Sequence, residues 1–252
     1  MMGALRRRGL LAAALPLPLA AAPPGRTVRM AFGEKIPPFC FPQTASGIEV
    51  DVFREALALR GHALQPLFFP FARVPLEFKA GTVDATMTDL GQDLSAYGGH
   101  HGDTAVVYDN VLISLRQRAL TLRRPADLAP LRVVSFPGAL ARYPEWLGPV
   151  KAAGHYSEIN DQAVHVRLLM LNRCDVVLSD RTIFRYFMLQ ARQVPAGVPL
   201  QAVDETPFTQ VNPKDYRPVF RSTAVRDDFN AGLRQLKTTG RFQAIYDRYL
   251  RA

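Results

Sequence analysis

The sequence predicts an α/β protein of two lobes with a cleft between them, and three observations carry that prediction. A short pattern occurs twice: Val83 to Asp89 reads VDATMTD and Cys174 to Asp180 reads CDVVLSD, each with an Asp early and a hydroxyl residue and second Asp at its close. Each copy follows a helix-like segment and a turn, LEFKAG and VRLLMLNR, and its middle residues are small, β-branched or apolar. That composition suits a strand buried on both faces. In open α/β sheets ligands sit beyond the carboxyl ends of the strands, which is where Thr88, Asp89, Ser179 and Asp180 fall. Two readings of Asp89 and Asp180 stand side by side: they face a ligand in the cleft, or they cap the segments that follow them, since Asp is favoured in turns and at helix N-caps.

The elements follow in order. Thr27 to Phe32 alternates like a first strand, and the connection from Gly33 to Gly47 is long, stiffened by Pro37, Pro38 and Pro42, and carries Phe39 and Phe41. Loops of that length inside compact domains are usually functional, so the two rings are candidates to stack on a ligand or to plug the top of the core. Ile48 to Arg60 has helical spacing and stops at Gly61. Leu64 to Phe69 is the next strand, ended by Pro70, and Arg73 stands at the strand-to-helix junction, where its planar fork could meet a carboxylate. After Asp89 comes a Gly-rich stretch whose His100 and His101 lack a third ligand at sensible spacing, so they are read as loop residues rather than a metal site.

Thr104 to Tyr108 and Val111 to Leu115 are extended, and a crossing between lobes is placed there. The second lobe opens with the strand Leu131 to Phe136, which runs into Pro137-Gly138-Ala139, a junction whose backbone N–H groups can hold an anion. Tyr156 to Ile159 is a brief strand, Asp161 caps a helix, and RTIFRYFMLQAR is helical after the second pattern. The segments Leu200 to Val203 and Thr209 to Asn212 return the chain to the first lobe, where two closing helices pack.

The chain has 252 residues, 48% of them hydrophobic, enough for two modest packed cores. Met1 to Ala22 differs from the rest: Arg6, Arg7 and Arg8 precede an uncharged stretch ending in Ala, the build of a secretory signal peptide. The expected mature protein is periplasmic, in a compartment that permits disulfides, with Cys40 and Cys174 in different lobes and apart. The formal charge is +9, and removal of the three leader arginines lowers it by three. Export and the scatter of Arg along the chain argue against nucleic acid as a partner.

The order IPPF, GIEVDVFREAL, FAR...KAGTVDA, CDVVLSD and FNAGLRQLKTTGRFQAIYDRYL resembles the family 3 extracellular solute-binding proteins, the polar amino acid type that serves ABC transporters. The resemblance covers nearly the whole mature chain. It implies a type II periplasmic binding fold in which a hinge closes two lobes on a ligand. The expected division is a signal peptide over 1–21, a first lobe of 22–113 with 206–252, and a second lobe of 114–205. The resemblance also implies roles: Phe39 covers the ligand, Thr88 and Asp89 contact it, Gly138 and Ala139 hold a carboxylate, and Asp180 binds an α-ammonium. Where such proteins carry an Arg for the α-carboxylate after the first-lobe strand, this chain has Gly91 to Ser95 and none. Arg73 could replace it; otherwise Asp89 and Asp180 leave a pocket suited to an amine.

The expected function is therefore a monomeric binder of a small polar solute, amino acid-like or amine, that serves a membrane permease and uses no cofactor, no metal and no catalysis. A dehydratase-like enzyme on the same scaffold and a ligand-sensing accessory protein are the alternatives, since one fold hosts several functions.

Overall fold

The structure, a computed structural model, describes residues 25–34, 36–194 and 197–251; the leader expected over 1–21 lies outside them. Two five-stranded mixed sheets form the two lobes. The first holds β1 (Thr27–Gly33), β2 (Ala63–Phe69), β3 (Ala85–Thr86), β4 (His100–His101) and β10 (Val219–Phe220), in the order β2-β1-β3-β10-β4. The second holds β5 (Asn110–Leu115), β6 (Val133–Ser135), β7 (Tyr156–Glu158), β8 (Val176–Asp180) and β9 (Val203–Thr206), in the order β7-β6-β8-β5-β9. Each sheet thus sets three parallel strands side by side and adds an antiparallel fourth beside the repeated pattern: β10 beside β3, β5 beside β8.

The helices are α1 (Ile48–Ala58), α2 (Val74–Lys79), α3 (Ala139–Arg142), α4 (Pro144–Ala152), α5 (Gln162–Met170), α6 (Arg181–Arg192), α7 (Thr223–Thr238) and α8 (Arg241–Leu250). The chain crosses between sheets twice. The whole of β5 belongs to the second sheet, so the first crossing ends before Asn110 rather than at the expected 113, and the return runs from the end of β9 to β10. His100 and His101, expected in a loop, form the short edge strand β4 against β10.

Strand alternation places the second core on both sides of its sheet. Val111, Ile113 and Val177 face the cluster that includes α5 and α6, while Leu112, Val176 and Leu178 face the one that includes α3 and α4. In the first lobe Phe53 of α1 stacks on Phe229 of α7 at 4.8 Å, and both rings are fully buried; each such ring is worth about 1.5–3 kcal/mol of transfer free energy. The two helices approach closely because Gly232 lies over the Ala56 carbonyl. Helix α6 ties the lobes: Ile183 joins the first lobe's core, Phe184 the second's, and Phe187 packs on both.

The repeated pattern has a structural use in each lobe. Asp84 accepts hydrogen bonds from the backbone N–H, Nε and Nη2 of Arg29, and Asp175 accepts the same three from Arg132. In each lobe an early Asp of the pattern therefore clamps an Arg at or beside the start of the first parallel strand. Arg118 adds a further ion pair to Asp175, whose carboxyl is held down to about 2 chiefly by Arg132. Cys40 and Cys174 are free and buried in separate cores.

Candidate ligand-binding cleft

Two connecting segments and the strand ends of both sheets meet at one place. The first crossing ends at Tyr108 and Asp109, and Asn110, the first residue of β5, lies in register with Asp180. The return contributes a short 3-10 turn, Pro213–Tyr216. Thr88, at the end of the first pattern, donates its hydroxyl to the Asp215 carbonyl at 3.3 Å. From the second lobe Arg142 donates through Nη2 to the Tyr216 hydroxyl at 2.6 Å and through Nε to that of Tyr143 at 3.0 Å. Its guanidinium carbon lies 5.4 Å from the Tyr216 ring centre and 5.6 Å from that of Tyr143, within cation–π range. The Tyr216 ring also packs on Tyr108 at 5.4 Å, and Asn110 donates to the Tyr143 hydroxyl at 2.9 Å. Residues of both lobes therefore touch adjacent residues of one turn.

The residues expected to form the site are placed as follows. Thr88 is in this group. Asp180 is buried and caps α6: one oxygen accepts from the N–H groups of Thr182 and Ile183 and the other from Asp109. Burial pushes its carboxyl up to about 7 against the pull of those donors. Asp89 accepts from the Gly91 N–H and pairs with Nε2 of His101 at 2.7 Å. Both capping readings are thus realised in hydrogen bonds.

Phe39 is fully buried, its ring 4.5 Å from Tyr108, so it backs the tyrosine that faces Tyr216. Arg73 is ion-paired with Glu77 at 2.5 Å, one turn further along. Gly138 takes a left-handed conformation, φ 87°, and the junction it opens is occupied from within the chain. Glu158, at the end of β7, accepts from the Gly138 N–H at 2.9 Å, the Leu140 N–H at 3.1 Å and the Tyr156 hydroxyl at 2.8 Å. Ala139 turns its own N–H to the Phe136 carbonyl. Partial burial works to raise the Glu158 pKa, but the two N–H donors and the tyrosine leave it below the ordinary carboxylate value.

Beneath Phe39 lies a buried acid. Glu49 accepts from the Tyr108 hydroxyl at 3.0 Å, with the Cys40 thiol at 3.9 Å, and burial pushes its carboxyl up to about 8. It is therefore held largely protonated near neutrality, directly under the crossing.

Tyr108, Asn110, Arg142, Tyr143 and Tyr216 escaped the sequence reading. Their signals were faint: an Arg-Tyr pair a few residues past the Gly138 junction, and a tyrosine in a return segment without periodicity. Among the described residues no group of three His, Cys, Asp or Glu side chains could hold a metal ion, and no helix is long and apolar enough to cross a membrane.

No protein-family model matches the chain, and no curated protein does. Solved structures do. An ancestral cationic amino acid solute-binding protein superposes with a TM-score of 0.67 at 16% identity, over 89% of this chain and 96% of that one. The second substrate-binding domain of GlnP from Lactococcus lactis gives 0.61 at 17% identity, over 90% and 96%. A histidine kinase sensor domain with similarity to periplasmic binding proteins gives 0.58 at 19% identity, over 90% and 97%. Likeness at these identities speaks to architecture, and on it the chain has the two-lobed α/β fold of the periplasmic binding proteins.

Proposed function

We propose that this chain is a periplasmic solute-binding protein that captures a small polar solute between its lobes and presents it to the permease of an ABC transporter. The observation that carries the reading is the meeting of Thr88 from one lobe with Arg142 and Asn110 from the other around Tyr108, Asp215 and Tyr216, in a fold shared with proteins that bind amino acids. A site assembled from two lobes and two connections is complete only when the lobes are close, which is how a hinge couples binding to a change of shape. The lobes follow the division read from the sequence, with its boundaries moved ahead of Asn110 and past Thr206, so that β5 and β9 both fall whole in the second lobe, and the leader over 1–21 directs export.

The test is a thermal-shift screen of the mature protein, unfolded and refolded to strip carried solute, against amino acids, amines and dicarboxylates. A ligand at about 100 times its dissociation constant adds roughly 2.7 kcal/mol, which is a shift of several degrees for a chain of this size. No shift across the panel counts against the reading.

A sensing role is the second reading, favoured by the likeness to a histidine kinase sensor domain. It shares the binding step and differs in the partner. Capture of a permease by the liganded protein supports transport, and capture of a receptor kinase supports sensing.

A further inference from the structure

We propose that Glu49 makes the first crossing a proton-responsive hinge: in its neutral form it holds Tyr108 where the lobes meet, and its ionisation loosens that hold and weakens capture of solute. The last step rests on the solute-binding reading above; the hinge itself does not.

Tyr108 is the point where the connections converge. Its ring lies 4.5 Å from that of Phe39, in the connection after β1, and 5.4 Å from that of Tyr216, in the return. Its hydroxyl is 3.0 Å from Glu49, in the first turn of α1. On the next residue the second lobe takes hold, since Asp180 accepts from the Asp109 N–H at 2.6 Å. Consecutive residues of one crossing are therefore gripped by a buried acid from each lobe.

The two acids are not alike. Asp180 accepts from the backbone N–H groups of Asp109, Thr182 and Ile183, which suit an ionised carboxylate. Glu49 is 2% exposed, and among the described residues its carboxyl is met only by the Tyr108 hydroxyl and, at 3.9 Å, the Cys40 thiol. Asp51, two residues on, has both Arg54 and Arg248 as ion-pair partners; Glu49 has none among the described residues. Tyr246 of α8 lies within electrostatic reach of both acids. The titratable groups around Glu49 are thus Cys40, Tyr108 and Tyr246, with Asp180 beyond Tyr108, and burial raises the pKa of each of the first three, so that none brings a charge.

A carboxyl buried without a cation favours its neutral form, and burial pushes that of Glu49 up to about 8. Above that value a negative charge forms against Tyr108 and Cys40. Water relieves it once the crossing draws away from α1, because an uncompensated buried charge is strongly destabilising. Tyr108 then leaves Tyr216, and the meeting of the lobes loses its central ring. The sign follows from linkage. Solute favours the arrangement that holds the proton, so affinity is full at acid pH and falls as pH rises through the folded value, by at most about tenfold per pH unit for one proton.

Small-angle X-ray scattering of the solute-free mature protein at about pH 6 and about pH 9 tests the hinge. The radius of gyration should be larger at the higher pH in the wild type and the same at both in Glu49→Gln, which keeps a hydrogen-bond partner for Tyr108 and cannot ionise. Should Glu49→Gln not fold, Glu49→Met, of similar length, carries the comparison. A wild-type radius that does not change, or a variant that expands as the wild type does, overturns the hinge. Isothermal titration with L-glutamine and L-arginine at the same two pH values reads the link to capture. Wild-type affinity should be about tenfold weaker at the higher pH, beyond any loss seen in the variant, whose own pH dependence reports the titration of the solute. Equal loss in both proteins overturns the link. Binding of neither amino acid at either pH overturns it too and counts against the solute-binding reading, while scattering decides the hinge by itself.

Discussion

Glu158 sits in the turn that Gly138 opens: its carboxylate accepts the Gly138 N–H at 2.9 Å while the Leu140 N–H and the Tyr156 hydroxyl complete the cradle. The second lobe thus supplies its own anion where the resemblance implies a ligand's carboxylate. Because the folded-state pKa is lowered, this carboxylate contributes stability above its unfolded pKa and loses it as pH falls through the folded value. Glu158→Gln should therefore cost little, roughly 0.5–1 kcal/mol at about pH 7 given its exposure. The difference from wild type should shrink towards zero at an acid pH below the folded value. Urea unfolding of both proteins at the two pH values checks it, and an equal difference at both would remove the ionised carboxylate from the cause.

Glu49 gives the opposite sign. Burial raises its carboxyl to about 8 in the folded protein, so the native state holds a proton that the unfolded chain releases near the ordinary value. Stability from this group is fully present at acid pH and is lost as pH rises through the folded value. Wild-type stability should fall between about pH 5 and pH 8. Glu49→Gln, which resembles the protonated acid beside Tyr108 and Cys40, should flatten that slope and unfold at higher temperature at the alkaline end. Melting curves across the range decide it: an unchanged slope in the variant would assign the pH dependence elsewhere.

The repeated pattern made the two lobes legible in the sequence, because the same burial and the same Asp to Arg clamp recur in each. Helices α1 and α7 were legible from apolar spacing alone. The site was harder to read. Asp180 and Asp89 stood out as acids at strand ends, yet their hydrogen bonds go to backbone N–H groups and to His101, and a sequence cannot show which lone pairs are taken. In the sequence Gly138 reads as a junction that holds a ligand's anion, whereas its N–H goes to Glu158, a residue of the strand paired alongside. Arg142 and Tyr216 lie 74 positions apart, in segments without periodicity, and only the crossing topology brings them together.

Gly232 is required by packing rather than by backbone conformation. A Cβ there would lie 2.0 Å from the Ala56 carbonyl oxygen, a backbone atom that cannot swing aside. Gly232→Ala must push α7 from α1 and unstack Phe53 from Phe229, 4.8 Å apart. Overpacking costs about 1–3 kcal/mol and occasionally more; a clash with a backbone oxygen puts this site at the upper end of that range, above the gain of about 1 kcal/mol that Ala brings in a helix interior. Chemical denaturation should show a net loss. A variant as stable as wild type would mean that the two helices can separate without penalty.

Trp146, the single tryptophan of the chain, is placed to report on the cleft. Its ring lies 5.3 Å from Phe208, which lies 4.9 Å from Tyr143. Tyr143 in turn receives hydrogen bonds from Asn110 and Arg142. A solute that engages Arg142 must alter the hydrogen bonding of Tyr143, and the packed rings pass that shift to the indole, because close-packed side chains do not move singly. Addition of a bound solute should therefore change tryptophan emission in the wild type. Trp146→Phe should abolish the optical signal while leaving the calorimetric affinity within about threefold, since the indole is two rings removed from Arg142 and such distant sites usually behave independently. Tyr143→Phe keeps the ring and removes the hydroxyl that Arg142 and Asn110 share. It should weaken solute binding and diminish the emission change together. An emission change that survives intact in Tyr143→Phe would mean that the indole senses lobe closure rather than the chemistry at Arg142.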